Sequence, residues 1–302
     1  MPNVSVNICC YNSEKFIEKT LQSVLAQTYR DLEVIIVDDG SSDRTGDIIR
    51  SIADQRIIYH YQKNQGLSYS RNRAIDLSKG EYIAFLDHDD LWLPEKLEKQ
   101  LALFERNRSL GMVYSDCFAF NMNTGQKVRY SEMTQLFRGW VLAQLFQVDF
   151  IPVLTALVKR DVIGMAGKFD LNYKIAEDYE FFVRVAERYP VDFIPEPLAV
   201  YNLHDDNSVK KQRKTCFLEE MAIITAHRGK FGMIDEQTFK RRVKLLNRSL
   251  STLALAAGDR REARRYLMGD VLYLAATYLP AWLLHMMMSY QTKRRGAKNV
   301  LA

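Results

Sequence analysis

The 302-residue sequence predicts an α/β domain with an open, largely parallel sheet, followed by a helical region. Short apolar runs alternate with helical segments through the first third of the chain, as in βαβ units. After His204 the pattern changes, and only helical patterns follow from about Lys211. The charge changes there too: residues 1–209 carry 23 Lys and Arg against 30 Asp and Glu, and residues 210–302 carry 19 against 7. We therefore predict a domain boundary near residue 209.

The elements of the first domain follow in chain order from hydrophobic periodicity. The run Glu33–Val37 is almost entirely β-branched, which is typical of a parallel strand buried on both faces. The predicted strands are Val4–Ile8, Glu33–Val37, Arg56–Tyr61, Tyr82–Leu86, Met112–Phe120, Val153–Val158 and Leu198–Leu203. The predicted helices are Ser13–Gln27, Asp43 to about Ala53, Ser68–Leu77 and Pro94 to about Asn107.

Composition narrows the class of protein. An apolar content of 47% supports a hydrophobic core. The four cysteines, Cys9, Cys10, Cys117 and Cys216, form no C-x-x-C pair, so we expect reduced thiols in the cytosol. The N-terminus leads directly into a strand, which predicts no secretory signal. The acidic first 209 residues argue against nucleic acid as a partner.

The C-terminal region has a charge balance of +12 and one long apolar run, Val271–Met288. Its basic flanks, Arg260–Arg265 and Lys293–Lys298, are typical of a helix at the surface of an anionic membrane. Packing against the first domain or against a homodimer partner explains the apolar run equally well. Pro280 lies inside the run and argues against a membrane span. We expect a cytoplasmic protein, with peripheral membrane contact as one of these alternatives.

The segment Asp87-His88-Asp89-Asp90 places three carboxylates directly after a buried strand. Their mutual repulsion is relieved if a cation binds among them. Oxygen ligands suit Mg2+ or Mn2+, which keep open positions for substrate phosphates. The alternative is an acidic turn that caps the helix starting near Pro94.

Further polar residues follow other strands or begin helices. Asp38-Asp39 ends the second strand and could accept hydrogen bonds from a nucleotide. No G-x-G-x-x-G motif follows the first strand and no G-x-x-x-x-G-K-[ST] motif occurs, which argues against a dinucleotide cofactor and P-loop chemistry. Glu177-Asp178 begins a helix, where the helix dipole alone favours carboxylates; the functional alternative is a general base.

Taken in order, these residues resemble those of the family 2 glycosyltransferases of GT-A fold, and the resemblance covers about residues 3–208. The matching segments are Val4 to Asn12, Leu21-Gln22-Ser23-Val24, Gln27-Thr28, Val37 to Asp43, Asn64-x-Gly66, Arg71-Asn72, Asp87-x-Asp89-Asp90, Pro94 and Glu177-Asp178. The resemblance implies a GT-A (Rossmann-like nucleotide-diphospho-sugar transferase) domain over 1–209. Residues 1–108 would form its nucleotide-binding half and residues 109–209 its acceptor-binding half. The resemblance does not extend to residues 210–302, where the helical patterns predict a basic C-terminal extension.

The resemblance also implies roles for single residues. Tyr11, Asp38, Asp39, Arg71 and Asp87 would bind the nucleotide of a nucleoside-diphosphate sugar, expected to be a UDP-sugar. A Mn2+ or Mg2+ ion would be held by the metal ligands Asp89, Asp87 and His204. Asp178 would be the catalytic base that activates the acceptor hydroxyl. We place the acceptor near Glu177, Trp140 and Tyr173.

One departure from the family bears on the product. The Q-x-x-R-W motif of processive polysaccharide synthases is absent after Asp178, where the chain reads Phe181-Phe182-Val183-Arg184-Val185. We therefore expect a non-processive enzyme. The resemblance further implies that it inverts the anomeric configuration and acts on a saccharide or a lipid-linked oligosaccharide in bacterial surface polysaccharide synthesis. The alternatives are a nucleotidyltransferase of related α/β fold and a non-catalytic module that binds sugar nucleotides or glycans.

Overall fold

The computed structural model describes residues 2–228 and 235–268. Its contacts divide the chain into two compact units, Met1–Thr238 and Phe239–Ala302. The boundary that we predict near residue 209 falls inside the first unit and stays a prediction. The apolar run Val271–Met288 and its flank Lys293–Lys298 lie outside the described residues.

The first unit is built on one nine-stranded sheet, in the order β3-β2-β1-β4-β8-β6-β9-β5, with β7 paired to β6. The strands are β1 (Val4–Cys10), β2 (Leu32–Asp38), β3 (Ile57–Tyr61), β4 (Tyr82–Asp87), β5 (Leu91–Trp92), β6 (Met112–Asn121), β7 (Lys127–Arg129), β8 (Leu157–Lys159) and β9 (Val191–Leu203). The pairs among β1 to β4 are parallel, which confirms the predicted α/β sheet. Strand β8 runs antiparallel to both β4 and β6 and joins the two halves of the sheet.

A helical segment covers 260–268, and ten further α-helices flank or follow the strands in the described residues. They are α1 (Ile17–Leu25), α2 (Thr45–Ser51), α3 (Leu67–Leu77), α4 (Lys96–Arg106), α5 (Leu142–Leu145), α6 (Arg160–Ala166), α7 (Glu177–Ala186), α8 (Ser208–Lys211), α9 (Arg213–Ala226) and α10 (Glu236–Ala256). The predicted helices after Lys211 are confirmed as far as the structure describes them. None of the described helices is both long and apolar enough to cross a membrane.

The core lies where the central strands pack between helices. Every residue of β1 and of β2 is buried, including Val4, Val34 and Ile36. Branched aliphatic side chains suit this position because both faces of a parallel strand are covered. Helix α1 contributes an apolar face to the same core, in which Leu21 is fully buried.

The predicted strand Val153–Val158 is wrong in its first half. Val153–Thr155 forms a 3-10 turn, and only Leu157–Lys159 pairs in the sheet. The Thr155 hydroxyl donates a hydrogen bond of 2.7 Å to the carbonyl of Pro152 and so stabilises the turn. Hydrophobic periodicity did not distinguish the two, because a short apolar run is typical both of a strand and of a buried turn.

Candidate functional site

The predicted site residues meet at one edge of the sheet because of strand register. Cys9 of β1 lies opposite Val37 of β2 and opposite Asp87 of β4. Cys10 lies opposite Asp38, and the Asp39 amide donates to the carbonyl of Cys10 at 2.9 Å. The carboxyl ends of these parallel strands therefore bring the two Asp clusters together at the sheet edge where α/β proteins bind ligands.

Asp39 organises the loop that precedes helix α3. Its Oδ1 accepts hydrogen bonds from the Gln62 side chain at 2.8 Å and from the Gln65 amide at 2.9 Å, and its Oδ2 accepts from the Gly66 amide at 2.8 Å. Gly40 follows with φ +87°, and a Cβ there would lie 2.9 Å from the backbone nitrogen of Asn64. The chain is thus held tightly in a conformation that requires glycine.

Asp38 and Tyr11 occupy different environments at the same strand ends. Asp38 is buried, and it accepts from the Ser41 amide at 2.9 Å and from the Tyr59 hydroxyl at 2.7 Å. Burial and this hydrogen bond raise the pKa of Tyr59, so the phenol stays a donor. Tyr11 is half exposed, which leaves its ring open to a stacking partner.

Arg71 lies in the centre of the predicted site and is 4% exposed. One of its NH2 groups, Nη2, donates to Asp87 Oδ1 at 2.8 Å, and Nη1 donates to Glu177 Oε1 in a close contact. Its guanidinium also lies 5.4 Å from the ring centre of Phe169. Helix α3 therefore links the carboxyl end of β4 to the first turn of α7.

The first two residues of α7, Glu177 and Asp178, have raised pKa values. Burial raises the pKa of Glu177 to about 8, although the guanidinium of Arg71 acts in the opposite direction. Burial also raises the pKa of Asp178, with Arg71 opposing the shift and Asp87 adding to it. Asp178 Oδ1 accepts from the Tyr179 amide at 2.8 Å. A raised pKa makes a carboxylate a better proton acceptor, so burial counters the effect of the helix N-terminus.

Asp89 and His204 are brought into direct contact. His204 Nε2 lies 2.8 Å from Asp89 Oδ2, and both side chains are largely buried. Phe16 stacks on the imidazole with ring centres 4.8 Å apart. The His204 amide donates to the Asn207 side chain at 2.6 Å, which fixes the turn after β9.

Asp90 is a structural member of the cluster. It is fully buried, and its Oδ1 accepts from the Asn202 amide at 2.8 Å. Burial raises its pKa well above the usual range, and the charges of Asp89 and Asp87 add to this shift. The alternative that these residues cap the next helix is wrong, because α4 begins at Lys96 and has no side-chain cap.

The three residues expected near the acceptor differ widely in exposure. Trp140 is 58% exposed on the segment before α5. Tyr173 is partly buried, and its carbonyl accepts from the Ser68 hydroxyl at 2.7 Å. Glu177 is 2% exposed, and its Oε1 accepts a hydrogen bond from Arg71. Their acceptor roles stay predictions.

A cavity of about 300 Å3 adjoins Asp89. Its wall carries Lys15 and Lys19 of the α1 region and Lys127 of β7. Apolar side chains also line it, among them Phe16, Leu91, Phe120, Met122 and Val200. The cavity thus combines positive charge with an apolar surface.

The family model described as Glycosyl transferase family 2 matches residues 5–163 of the chain. This protein belongs to glycosyltransferase family 2. An uncharacterized glycosyltransferase of Methanocaldococcus jannaschii is 30% identical over 220 residues, which cover 70% of this chain and 75% of that protein. The Escherichia coli protein WfaP, named UDP-Glc:alpha-D-GlcNAc-diphosphoundecaprenol beta-1,3-glucosyltransferase, is 44% identical over 111 residues, 36% of this chain and 43% of WfaP.

Solved structures show the fold of this glycosyltransferase. Staphylococcus aureus TarS 1–349 in complex with UDP-GlcNAc aligns with a TM-score of 0.63 at 17% identity, over 93% of each chain. The mannosyltransferase PcManGT of Pyrobaculum calidifontis, in complex with GDP-Man and Mn2+, aligns with a TM-score of 0.65 at 19% identity, over 100% of this chain and 81% of that one. The GT-A fold is confirmed, and the family favours glycosyl transfer over nucleotidyl transfer and over non-catalytic binding.

The residues of this glycosyltransferase fit a divalent cation only in part. Asp89 and His204 supply an oxygen and a nitrogen donor side by side. Within residues 2–228 and 235–268, however, no group of three His, Cys, Asp or Glu side chains is close enough to hold a metal by itself. Asp87 instead contacts Arg71. A partial ligand set suits Mn2+ or Mg2+ that takes its other ligands from a diphosphate and water.

Several contributing residues of the glycosyltransferase were missed in the sequence. Asn202 donates to the carbonyl of Asp89 at 2.6 Å, and Asn207 lies 3.4 Å from Asp89 Oδ2. Glu219 accepts hydrogen bonds from the backbone just before α7. The polar segment around Asn202 and His204 was the available signal, whereas nothing in the sequence distinguishes Glu219 from other helix-surface glutamates.

Proposed function

We propose that this enzyme is a metal-dependent, inverting and non-processive glycosyltransferase that uses a UDP-sugar. Its acceptor would be a hydroxyl of a lipid-linked oligosaccharide in bacterial surface polysaccharide synthesis. The observation that carries the proposal is the chain of contacts from Asp87 through Arg71 to Glu177, next to Asp178. It connects the strand end expected to meet the nucleotide with the carboxylate expected to meet the acceptor.

In the proposed reaction, Asp178 accepts the proton of the acceptor hydroxyl as its oxygen attacks the anomeric carbon. The bond from that carbon to the diphosphate breaks, and the electron pair leaves with the nucleoside diphosphate. In-line attack inverts the anomeric configuration, so an α-linked donor gives a β-glycoside. Asp178 suits this role because burial raises its pKa, so it is a stronger base than an exposed aspartate.

The donor side of the proposal rests on the other strand-end residues. Tyr11 would stack on the base and Asp39 would bind it through hydrogen bonds, with Asp38 holding the adjoining turn through Ser41. Asp89 and His204 would hold Mn2+ or Mg2+, a proposal supported by the presence of Mn2+ in the PcManGT complex. Bound there, the cation would offset negative charge on the departing diphosphate.

The acceptor side draws support from the cavity beside Asp89. Lys15, Lys19 and Lys127 would attract phosphate, and the apolar lining would contact the hydrocarbon next to it. The name of WfaP describes an acceptor of this chemistry, a GlcNAc joined to diphosphoundecaprenol. We expect the triple Lys-to-Ala variant to raise the KM for such an acceptor by about tenfold, since each exposed charge pair contributes up to ~1 kcal/mol.

The KM for a phosphate-free saccharide acceptor serves as the control and should stay unchanged in the triple variant. Equal KM changes for both acceptors would contradict the assignment of the cavity. The substrate class itself is tested by screening nucleotide sugars for Mn2+-dependent nucleotide release, with lipid-linked and soluble acceptors. If no nucleotide sugar gives acceptor-dependent release, the proposed reaction is wrong.

We also propose peripheral contact between residues 210–302 and an anionic membrane at its cytoplasmic face, supported by the charge balance of +12. The full-length protein should float with vesicles that contain anionic lipid and stay unbound with neutral vesicles. Binding should weaken as salt is raised. Equal binding to both kinds of vesicle would refute an electrostatic contact.

A further inference from the structure

Helix α9 lies beyond the residues that the family model matches, yet it contacts the segment leading into α7. The carboxylate of Glu219 accepts from three consecutive backbone amides. The Lys174 amide lies 3.0 and 3.1 Å from its two oxygens, and the amides of Ile175 and Ala176 lie 2.9 and 3.0 Å from Oε2. A charged acceptor makes these hydrogen bonds stronger than neutral ones.

Of these amides, only that of Ala176 is among the N–H groups that a helix leaves unpaired, and those of Lys174 and Ile175 precede the helix. Ala176 occupies the N-cap position, and its methyl side chain makes no capping hydrogen bond. Glu219 therefore places, from another helix, a negative group at the N-terminal end of α7, where the helix dipole favours negative charge. The backbone that it fixes directly precedes Glu177 and Asp178.

The residues just before this segment are held by α3, the helix that carries Arg71. The Ser68 hydroxyl donates to the carbonyl of Tyr173 at 2.7 Å. The Asn72 side chain both accepts from the Phe169 amide at 2.9 Å and donates to its carbonyl at 2.8 Å. Glu219 completes this support on the α9 side.

Helix α9 also reaches the other end of α7. His227, at the C-terminal end of α9, makes a close contact with Glu187, at the C-terminal end of α7. Glu219 and His227 are eight residues apart, which is about 12 Å along a helix. Helix α9 thus contacts α7 near both ends of α7, so the position of the first turn of α7 depends on α9.

We propose that Glu219 is a positioning residue for Asp178, a statement that rests on the proposed role of Asp178 as base. Glu219 makes no contact with the reacting groups in this proposal. It fixes the backbone from Lys174 to Ala176, and that backbone sets where the first turn of α7 presents the Asp178 carboxylate. A displacement of about 1 Å at a reacting group can lower a rate by about 100-fold.

The test compares Glu219→Ala and Glu219→Gln with the full-length wild-type enzyme. Glu219→Ala should lower kcat by about 10- to 100-fold, while the Kd for UDP and the KM for the donor stay within about twofold. Glu219→Gln keeps one oxygen acceptor at the same reach but loses the charge, so it should recover part of the lost kcat. Glu105→Gln, an exposed substitution on α4, is the control for the loss of one negative charge.

Two results would overturn the inference. A Glu219→Ala enzyme with kcat within twofold of wild type would show that Asp178 needs no such support. Equal losses of kcat and UDP affinity, unrelieved in Glu219→Gln, would show general loosening instead of positioning. Failure of the proposed function is recognised separately: the wild-type enzyme would then give no acceptor-dependent nucleotide release, and if only the role of Asp178 is wrong, Asp178→Asn would keep near-normal turnover whatever Glu219 does.

Discussion

Replacing Glu177 by Gln tests whether burial or the Arg71 ion pair controls the ionisation of this carboxylate. Glu177 is 2% exposed, and its Oε1 is paired with Arg71. Its Oε2 is buried without a hydrogen-bond partner in the part of the chain that the structure describes. Burial disfavours the charged form and Arg71 favours it, and the net effect raises the pKa to about 8 from an ordinary value of 4.5.

A raised folded-state pKa has a definite sign for stability. Between about pH 4.5 and 8, the folded protein keeps a proton on Glu177 that the unfolded chain has lost, so wild-type stability falls as pH rises. Each pH unit in this interval changes the free energy of unfolding by about 1.4 kcal/mol. Glutamine does not titrate, so the free energy of unfolding of Glu177→Gln should rise by about 4 kcal/mol relative to that of wild type between pH 5 and pH 8.

Urea unfolding at pH 5, 6, 7 and 8 measures this difference in free energy of unfolding. The exposed substitution Glu105→Gln corrects for the general effect of removing one negative charge. A difference between Glu177→Gln and wild type that varies by less than about 1 kcal/mol over this range would refute the reasoning. Glu177 would then be ionised by Arg71 in spite of its burial.

Three other predictions concern metal binding, a buried lysine and a loop glycine. Asp89→Ala should abolish the Mn2+-dependent part of UDP binding, measured by calorimetry with and without Mn2+; an unchanged Mn2+ effect would remove Asp89 as a ligand. Lys96 is fully buried, and burial lowers its pKa well below the usual range. From pH 7 to pH 10 the free energy of unfolding of wild type should therefore rise by at least about 1.4 kcal/mol relative to Lys96→Met, with Lys63→Met as an exposed control. The same pH dependence of unfolding in wild type and Lys96→Met would contradict this. Gly40 and Gly125 both have positive φ, so Gly40→Ala and Gly125→Ala should each lose about 1–2 kcal/mol of stability. Only Gly40→Ala should weaken UDP binding, because its Cβ would press on Asn64. Equal UDP affinity in the two variants would show that this loop does not shape the nucleotide site.

The sheet and its strand-end carboxylates were predictable because they depend on local signals. The β-branched run of β2 identifies a buried parallel strand, and parallel register then brings Asp38 and Asp87 to the same edge. Family resemblance added roles for Asp89 and Asp178 that composition and spacing do not provide. The GT-A fold and the family are confirmed, while the roles of single residues stay predictions.

The contacts that shape the site were not predictable, because they join residues far apart in sequence. Arg71 and Glu177 are 106 positions apart, and His204 and Asp89 are 115 apart. No periodicity reports such a pairing, and the sequence does not indicate that Arg71 is buried. Glu219 was not predictable for the same reason, because its contacts are with backbone amides that lie about 45 positions earlier in the sequence.

The most direct test of the proposed mechanism is single-turnover transfer by Asp178→Asn, measured together with UDP-sugar binding by the same variant. Asparagine keeps the shape of the side chain but cannot accept the acceptor proton as a base. We expect binding within twofold of wild type and transfer slowed by at least about 100-fold, the usual contribution of a general base. Near-normal transfer by Asp178→Asn would contradict the assignment of Asp178 and require another base in this site.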